Sequence, residues 1–427
     1  MKIRWRTGIL FFLNILFLSA CVQATEDTVR NRDLYLAAGN RIYMLPENEE
    51  LDYKTIHTEI GKGNAGKVKE EYEAQASLQK DLETQFAMQN VLGITEAYSG
   101  EYELAYERFR KLIDRTEKSD GSEKEKLLLV FYNNIGVVST YLQDRETEED
   151  WLKKAEELCK DSYTRGVIRL NRENHMSGTF PKKQWGVMMK EMKKIMKNVE
   201  KPDKEPDFVF YIAVLNMADG FTVTDQEKRA IRLLDKYMDT IPDTPEYYLI
   251  KAAFLERRGY GYYRLGELVQ AIDDGEKAVS LAQNTVDENS QELAMLYKRL
   301  VQSYQGPGNS YEIVLKYLQK MVPGYRYKSE KEKGNLYYEM GVGHEMLGEE
   351  DNAKTCFLKS YTYYSLYESG IPFDRETYTQ YGSSYFPRQW LYGIYNAEGD
   401  ASMDFGQWLS KELQEVDIKE DDPGESQ

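Results

Sequence analysis

Apolar residues recur three and four positions apart along most of the 427-residue chain, with charged residues filling the intervening faces. That period predicts amphipathic helices. Pro and Gly are scarce between them, and no convincing alternation of the β type survives a pass along the chain, so the expected class is all-α. The pattern changes at both ends. Ile9 to Leu18 is apolar except for Asn14, a run of about ten residues behind the basic opening Lys2, Arg4 and Arg6. It is too short to span a bilayer, which takes about 20 residues, and has the length of a signal-peptide core. From Val416 the chain becomes acidic and polar, which predicts a disordered tail over 416–427. Gly370-Ile371-Pro372-Phe373-Asp374 interrupts the helical pattern and predicts a loop.

Within the helical body, small residues recur at fixed offsets. In 259–279, Gly259 is followed by Gly266, Ala271, Gly275 and Ala278. Gly93, Gly100, Tyr102, Ala105, Phe109 and Leu112 repeat the constellation, as do Gly341, Gly348, Ala353 and Phe357. Ala218, Ala230, Leu234, Tyr237 and Pro242 give another unit; Gly136, Leu152 and Ala155 a looser one; Ile56, Gly63, Val68 and Tyr72 a first. Residues 161–199 and 293–322 keep a two-helix pattern without these marks, and 386–415 is a candidate terminal unit. A small residue in one helix lets its partner approach, and a turn glycine takes a left-handed backbone.

This constellation resembles the tetratricopeptide repeat (TPR). Ala230 to Ala271 is 41 residues and Ala271 to Ala353 is 82, twice that step, against the family's usual 34. The resemblance implies a right-handed α-solenoid of about seven to eight hairpins with lengthened helices, over 33–415. It also implies that the first helix of each hairpin lines a concave groove. Aligned on the small residues, Asn90, Asn133, Asn134, Asn216 and Asn335 fall in first helices, with Tyr260, Tyr263 and Tyr338 on corresponding faces. A side-chain amide both donates and accepts, so a ladder of Asn can hold an extended main chain without reading its sequence. Replacing Asn90 and Asn133 by Ala is expected to weaken partner capture with little effect on melting. The tyrosines are otherwise explained as core filler with a polar rim.

The N-terminus carries a second resemblance. Leu18-Ser19-Ala20-Cys21 is similar to the lipobox of bacterial lipoproteins, which implies cleavage after residue 20, a diacylglyceryl group on Cys21 and a tether over 21–32. Two acyl chains anchor stably where one is marginal. Val22-Gln23-Ala24 offers an ordinary signal-peptidase site as the alternative, giving a freely secreted protein.

Charge narrows the partners. The net charge is −16, and loss of residues 1–20 removes three basic residues and no acidic ones, leaving a body near −19. Such a surface disfavours nucleic acid and anionic lipid, and an acidic groove favours a basic protein or peptide segment. No cofactor is expected. His57, His175 and His344 are isolated, without metal-ligand spacing. Cys159 and Cys356, far apart, read as two buried thiols sooner than as a disulfide. Gly61-Lys62-Gly63-Asn64-Ala65-Gly66-Lys67-Val68 spells a nucleotide-loop pattern and Asp404-Phe405-Gly406 a kinase triplet. No H-R-D exists, and Lys-Glu-Glu-Tyr-Glu follows Val68 where an apolar helix is needed, so the glycines are expected to make a hairpin turn.

The leading expectation is a lipid-anchored, extracytoplasmic scaffold on a bacterial cell membrane, without catalysis, that binds a protein or peptide. The alternatives are an α/α-toroid glycan-degrading enzyme with paired carboxylates, or a glycan-capturing surface lipoprotein using residues such as Trp390 and Tyr392.

Overall fold

A computed structural model describes residues 34–38, 41–142, 145–176, 182–199, 208–305, 310–326, 328–369, 384–398, 402–416 and 418. Cys21 with the signal and tether segments, the Gly370–Asp374 loop, the tail from Lys419 and the side chain of His175 lie outside them.

The fold is an all-α solenoid, as the spacing predicts. Among the described residues eighteen helices make nine hairpins, one or two more than expected. They are α1 Tyr53–Gly61 with α2 Ala65–Leu78, α3 Leu82–Tyr98 with α4 Tyr102–Glu117, and α5 Lys124–Tyr141 with α6 Arg145–Leu158. Then come α7 Ser162–Met176 with α8 Lys182–Val199, α9 Phe208–Val223 with α10 Glu227–Met238, and α11 Tyr248–Arg264 with α12 Leu268–Ala282. The last three pairs are α13 Gln291–Tyr304 with α14 Tyr311–Met321, α15 Glu330–Met346 with α16 Glu350–Ser369, and α17 Tyr385–Glu398 with α18 Phe405–Gln414.

The recurring small residues do the expected work. A Cβ on Gly93 would sit 2.7 Å from the Phe109 ring, one on Gly136 2.8 Å from Leu152, and one on Gly341 2.7 Å from Phe357. Each contact closes one hairpin. Gly63, Gly100, Gly266 and Gly348 end first helices with φ between +74° and +77°, where only glycine is unstrained. The glycine-rich segment at 61–68 is therefore the α1–α2 turn. Asp404 caps α18, accepting from the Gln407 backbone N–H in a reciprocal capping box.

Two features were not anticipated. Residues 35–38 and 41–44, expected to begin the helical body, pair as antiparallel strands of a β-hairpin, β1 Tyr35–Ala38 and β2 Arg41–Met44, with Leu36 opposite Tyr43. Every residue of β2 is buried, so no polar face alternates with an apolar one and the period-2 signal vanishes. The stack also curls until its beginning meets its middle. The Gln291 backbone N–H donates to Tyr102 Oη at 3.0 Å, and Gln291 Nε2 donates to the Tyr141 carbonyl at 2.7 Å. A Cβ on Gly61 would sit 2.7 Å from the Glu246 backbone nitrogen, and one on Gly63 2.9 Å from the Asn284 carbonyl oxygen.

One core runs from β1 to α16, and a smaller one, around Phe357, Leu391, Trp408 and Leu409, joins the last two hairpins. Cys159 and Cys356 are unbridged and buried. No described helix is long and apolar enough to cross a membrane.

Candidate functional site: an asparagine ladder

The first helices α3, α5 and α7 present asparagines to the β-hairpin. Asn134 holds both main-chain polar groups of Met44: the Met44 N–H donates to Oδ1 at 2.7 Å, and Nδ2 donates to the Met44 carbonyl at 2.8 Å. Asn171 does the same to Ile42, at 2.9 Å in each direction. Asn90 Nδ2 adds a bond to the Met44 carbonyl, and Asn133 Nδ2 one to the Ile42 carbonyl. The amides are also joined to each other, Asn134 to Asn90 at 2.8 Å, Asn133 to Asn134 at 3.1 Å and Asn171 to Asn133 at 2.9 Å. All four asparagines are fully buried.

The geometry has a simple cause. Ile42 and Met44 point their N–H and C=O away from β1, because Arg41 and Tyr43 take the pairing positions in the hairpin. The free edge of β2 would leave those groups unsatisfied in a buried channel, a cost of about 1–3 kcal/mol each. The ladder satisfies them. Between Asn134 on α5 and Asn171 on α7 the two-sided grip moves two residues along β2, from Met44 to Ile42.

Three of the expected asparagines, Asn90, Asn133 and Asn134, grip an extended main chain, but that main chain is the protein's own. Asn90, Asn133 and Asn134 hold β2 and are closed to an outside partner while the hairpin is in place. Their burial also changes the expected effect of replacing them, from binding towards stability. Asn171 was missed, because its hairpin lacks the small-residue signature; the available signal was its spacing, 37 residues beyond Asn134. The hairpin had a signal too, the Gly39-Asn40 pair between two short apolar runs.

Asn216 sits on α9, next in line after α7. It is 2% exposed, and its Nδ2 has no hydrogen-bond partner. It stands two residues before Ala218, as Asn134 stands two before Gly136, so the two asparagines occupy equivalent positions on their helices. The same count leads to Arg257 before Gly259 and Glu339 before Gly341. Around Arg257 the line becomes charged. Arg257 Nε is 3.3 Å from Asp219 Oδ1, and Arg299 Nε is 2.9 Å from Glu256 Oε1, with Arg257 also paired to Glu256. Burial acts to raise Glu256, but the two guanidiniums outweigh it and hold that carboxyl below its usual range.

The remaining predicted residues fall into two other groups. Tyr260 and Tyr263 stack with ring centroids 6.1 Å apart, and the Arg299 guanidinium lies 3.9 Å from the Tyr260 centroid. Asn335 and Tyr338 make their contacts in the C-terminal region: Asn335 Oδ1 accepts from the Tyr364 hydroxyl, and Tyr338 Oη accepts from Trp390 Nε1 at 3.4 Å. Neither group joins the ladder.

Above the hairpin, the closing contact buries one carboxylate. Tyr102 donates to Glu292 Oε2 at 3.3 Å and Tyr141 donates to Oε1. Burial raises the Glu292 pKa; the two hydroxyls and the nearby Arg41 act the other way without cancelling it. Tyr98 completes the enclosure, donating to the Ala37 carbonyl at 2.9 Å. Among the described residues no group of His, Cys, Asp and Glu could hold a metal ion.

The sequence matches no family model and no curated protein. Solved structures with helical architecture do resemble it. A Rap protein complexed with Competence and Sporulation Factor is 14% identical, with a TM-score of 0.48, covering 81% of this chain and 95% of that one. A signal-transduction ATPase with a tetratricopeptide repeat sensor from Pyrococcus horikoshii is 16% identical, with a TM-score of 0.41, covering 67% of this chain and 43% of that one. At these values the likenesses carry nothing about function.

Proposed function

We propose that the chain is a scaffold that holds a protein or peptide segment in extended form along the first-helix face of its solenoid. The observation that supports this is the double grip of Asn134 and Asn171 on both the N–H and C=O of a strand residue. That chemistry recognises a main chain and tolerates varied side chains. We further propose that Cys21 is lipidated and holds the scaffold on the outer face of a bacterial membrane, so that its work is recruitment and not catalysis. A glycan-degrading toroid needs paired carboxylates open to substrate. Here the centre is filled by the β-hairpin, and Glu292 lies beneath two tyrosines.

A photo-reactive residue in place of Tyr260, on the first-helix face, and another in place of the exposed Leu78 on α2 test the scaffold in native membranes. Cross-links formed through position 260 and not 78 are expected. Cross-links only through 78, or none, would reject the reading. Separately, Cys21→Ser is expected to move the protein from the membrane to the soluble fraction, and continued membrane association would rule out lipidation.

A further inference from the structure

Resting on that reading, we propose that the second half of the solenoid binds an acidic side chain of the extended partner, with Lys298 and Lys328 holding its carboxylate and the Tyr325 hydroxyl donating a third bond. The basic partner expected from net charge is reversed at this one place.

The site lies on a line of polar side chains. Arg257 on α11, Lys298 on α13 and Glu339 on α15 follow one another at steps of 41 residues, the repeat of the helical body. The structure joins their helices on that side. Arg299 of α13 pairs with Glu256 of α11 at 2.9 Å, and Gln305, just past α13, donates to Glu339 of α15 at 3.4 Å. Glu339 is open to solvent, yet the surrounding protein raises its pKa against the pull of Gln305 and Lys298, as expected on the wall of a hollow.

The cations along this line are not all matched. Arg257 and Arg299 are paired to Asp219 and Glu256. Lys298 and Lys328 are each half-buried, and neither ammonium has an ion-pair or hydrogen-bond partner among the described residues. Lys328 lies in the connection from α14 to α15, its backbone N–H donating to the Tyr325 carbonyl at 2.9 Å. Burial pushes the Lys328 ammonium below its usual value; Glu332 opposes this, Lys298 adds to it, and Glu292 opposes it. The two lysines thus repel each other where charge is already disfavoured. The carboxylates near them are engaged elsewhere. Glu332 shares a capping box with Ser329, Glu292 lies beneath Tyr102 and Tyr141, and Glu339 accepts from Gln305. Tyr325 is buried within reach of the same Glu332 and Glu339, and its hydroxyl has no hydrogen-bond partner among the described residues.

Two ammoniums and a phenol are donors in want of an acceptor. A carboxylate accepts from all three and offsets the repulsion between the lysines. A phosphate dianion fits less well, because its second charge meets Glu332 and Glu339. A neutral amide offers an acceptor without the charge.

The test uses the full chain and two readouts. Lys298→Met and Lys328→Met each remove a repelling charge and keep the apolar stem, so the melting temperature is expected to hold or rise. A fall in either would make that lysine part of the fold and overturn the proposal. The second readout is binding of acetyl-Thr-Val-Glu-Val-Thr-amide and of the same peptide with Gln in place of Glu, followed by the anisotropy of an attached neutral dye. The Glu peptide is expected to bind about tenfold more tightly, the worth of one charge-assisted bond, and to lose that advantage in both variants. Inorganic phosphate is expected not to displace it. Equal binding of the two peptides, binding of neither, an advantage that survives both substitutions, or displacement by phosphate as effective as by unlabelled Glu peptide would overturn the proposal. Cross-linking at position 260 asks only whether a partner occupies the first-helix face, so the scaffold can stand where the carboxylate preference fails.

Discussion

At the residue scale, the ladder asparagines differ in what they leave behind. Removing Asn134 strands the Met44 N–H, which has no other acceptor in the ladder, whereas removing Asn90 leaves the Met44 carbonyl still bonded to Asn134. Asn134→Ala is therefore expected to lower unfolding stability by about 3 kcal/mol and Asn90→Ala by about 1–2 kcal/mol, read from urea midpoints at constant m. Equal effects would show that the amides act only as packing. Glu292 gives a pH prediction. Its folded pKa is raised, so the folded state favours the protonated form. The contact is at full strength below the ordinary glutamate range and weakens as pH rises through the folded value. Glu292→Gln removes that titration. The melting temperature of the variant relative to the parent is expected to climb as pH rises above the ordinary glutamate range, while a flat difference would mean that Glu292 does not titrate in the folded protein.

At the element scale, the turn and packing glycines were legible because their roles are local. Gly93, Gly136, Gly259 and Gly341 mark where two helices of one hairpin touch, and a residue's size carries that information directly. Gly93→Ala drives a Cβ into Phe109 and is expected to cost about 1–3 kcal/mol, while Gly66→Ala, with nothing within 4 Å of the added atom, should leave the thermal midpoint unchanged or slightly raised. The β-hairpin was illegible for the opposite reason. A strand buried on both faces shows no alternation, and its partners are side chains on helices about 50 to 130 residues away, so no local pattern announces it. The ladder was half legible: the chemistry of Asn133 and Asn134 was visible, and Asn171 was hidden in a hairpin without the signature. The occupant could not be inferred, since amides that bind any main chain do not say whose.

At the scale of the whole molecule, the curl departs from a simple open stack. Repeat arrays are held by contacts between neighbours and can lose their ends piecemeal. Here Gln291 bonds to Tyr102 and Tyr141, joining the seventh helical hairpin to the second and third. Gln291→Ala removes the bond to the Tyr141 carbonyl and is expected to loosen this junction. Hydrogen exchange should then quicken in both α5 and the start of α13. Faster exchange in α13 alone would mean that the two regions are not coupled. The closure was invisible in the sequence because helix-terminal residues such as Gln291 and Glu292 have ordinary reasons to be polar.

The order in which the chain is made gives the β-hairpin another consequence. Tyr35 to Met44 leave the ribosome ahead of the whole helical body, yet the bond from the Ile42 N–H waits for Asn171, 129 residues later. During that interval an apolar segment with an open strand edge has nothing to pair with, the condition that favours strand-to-strand association between chains. Refolding from denaturant should accordingly lose yield as protein concentration rises. A charge placed at Ile42 should suppress that aggregation of the unfolded chain, although the same charge, at a fully buried position, would prevent the finished fold.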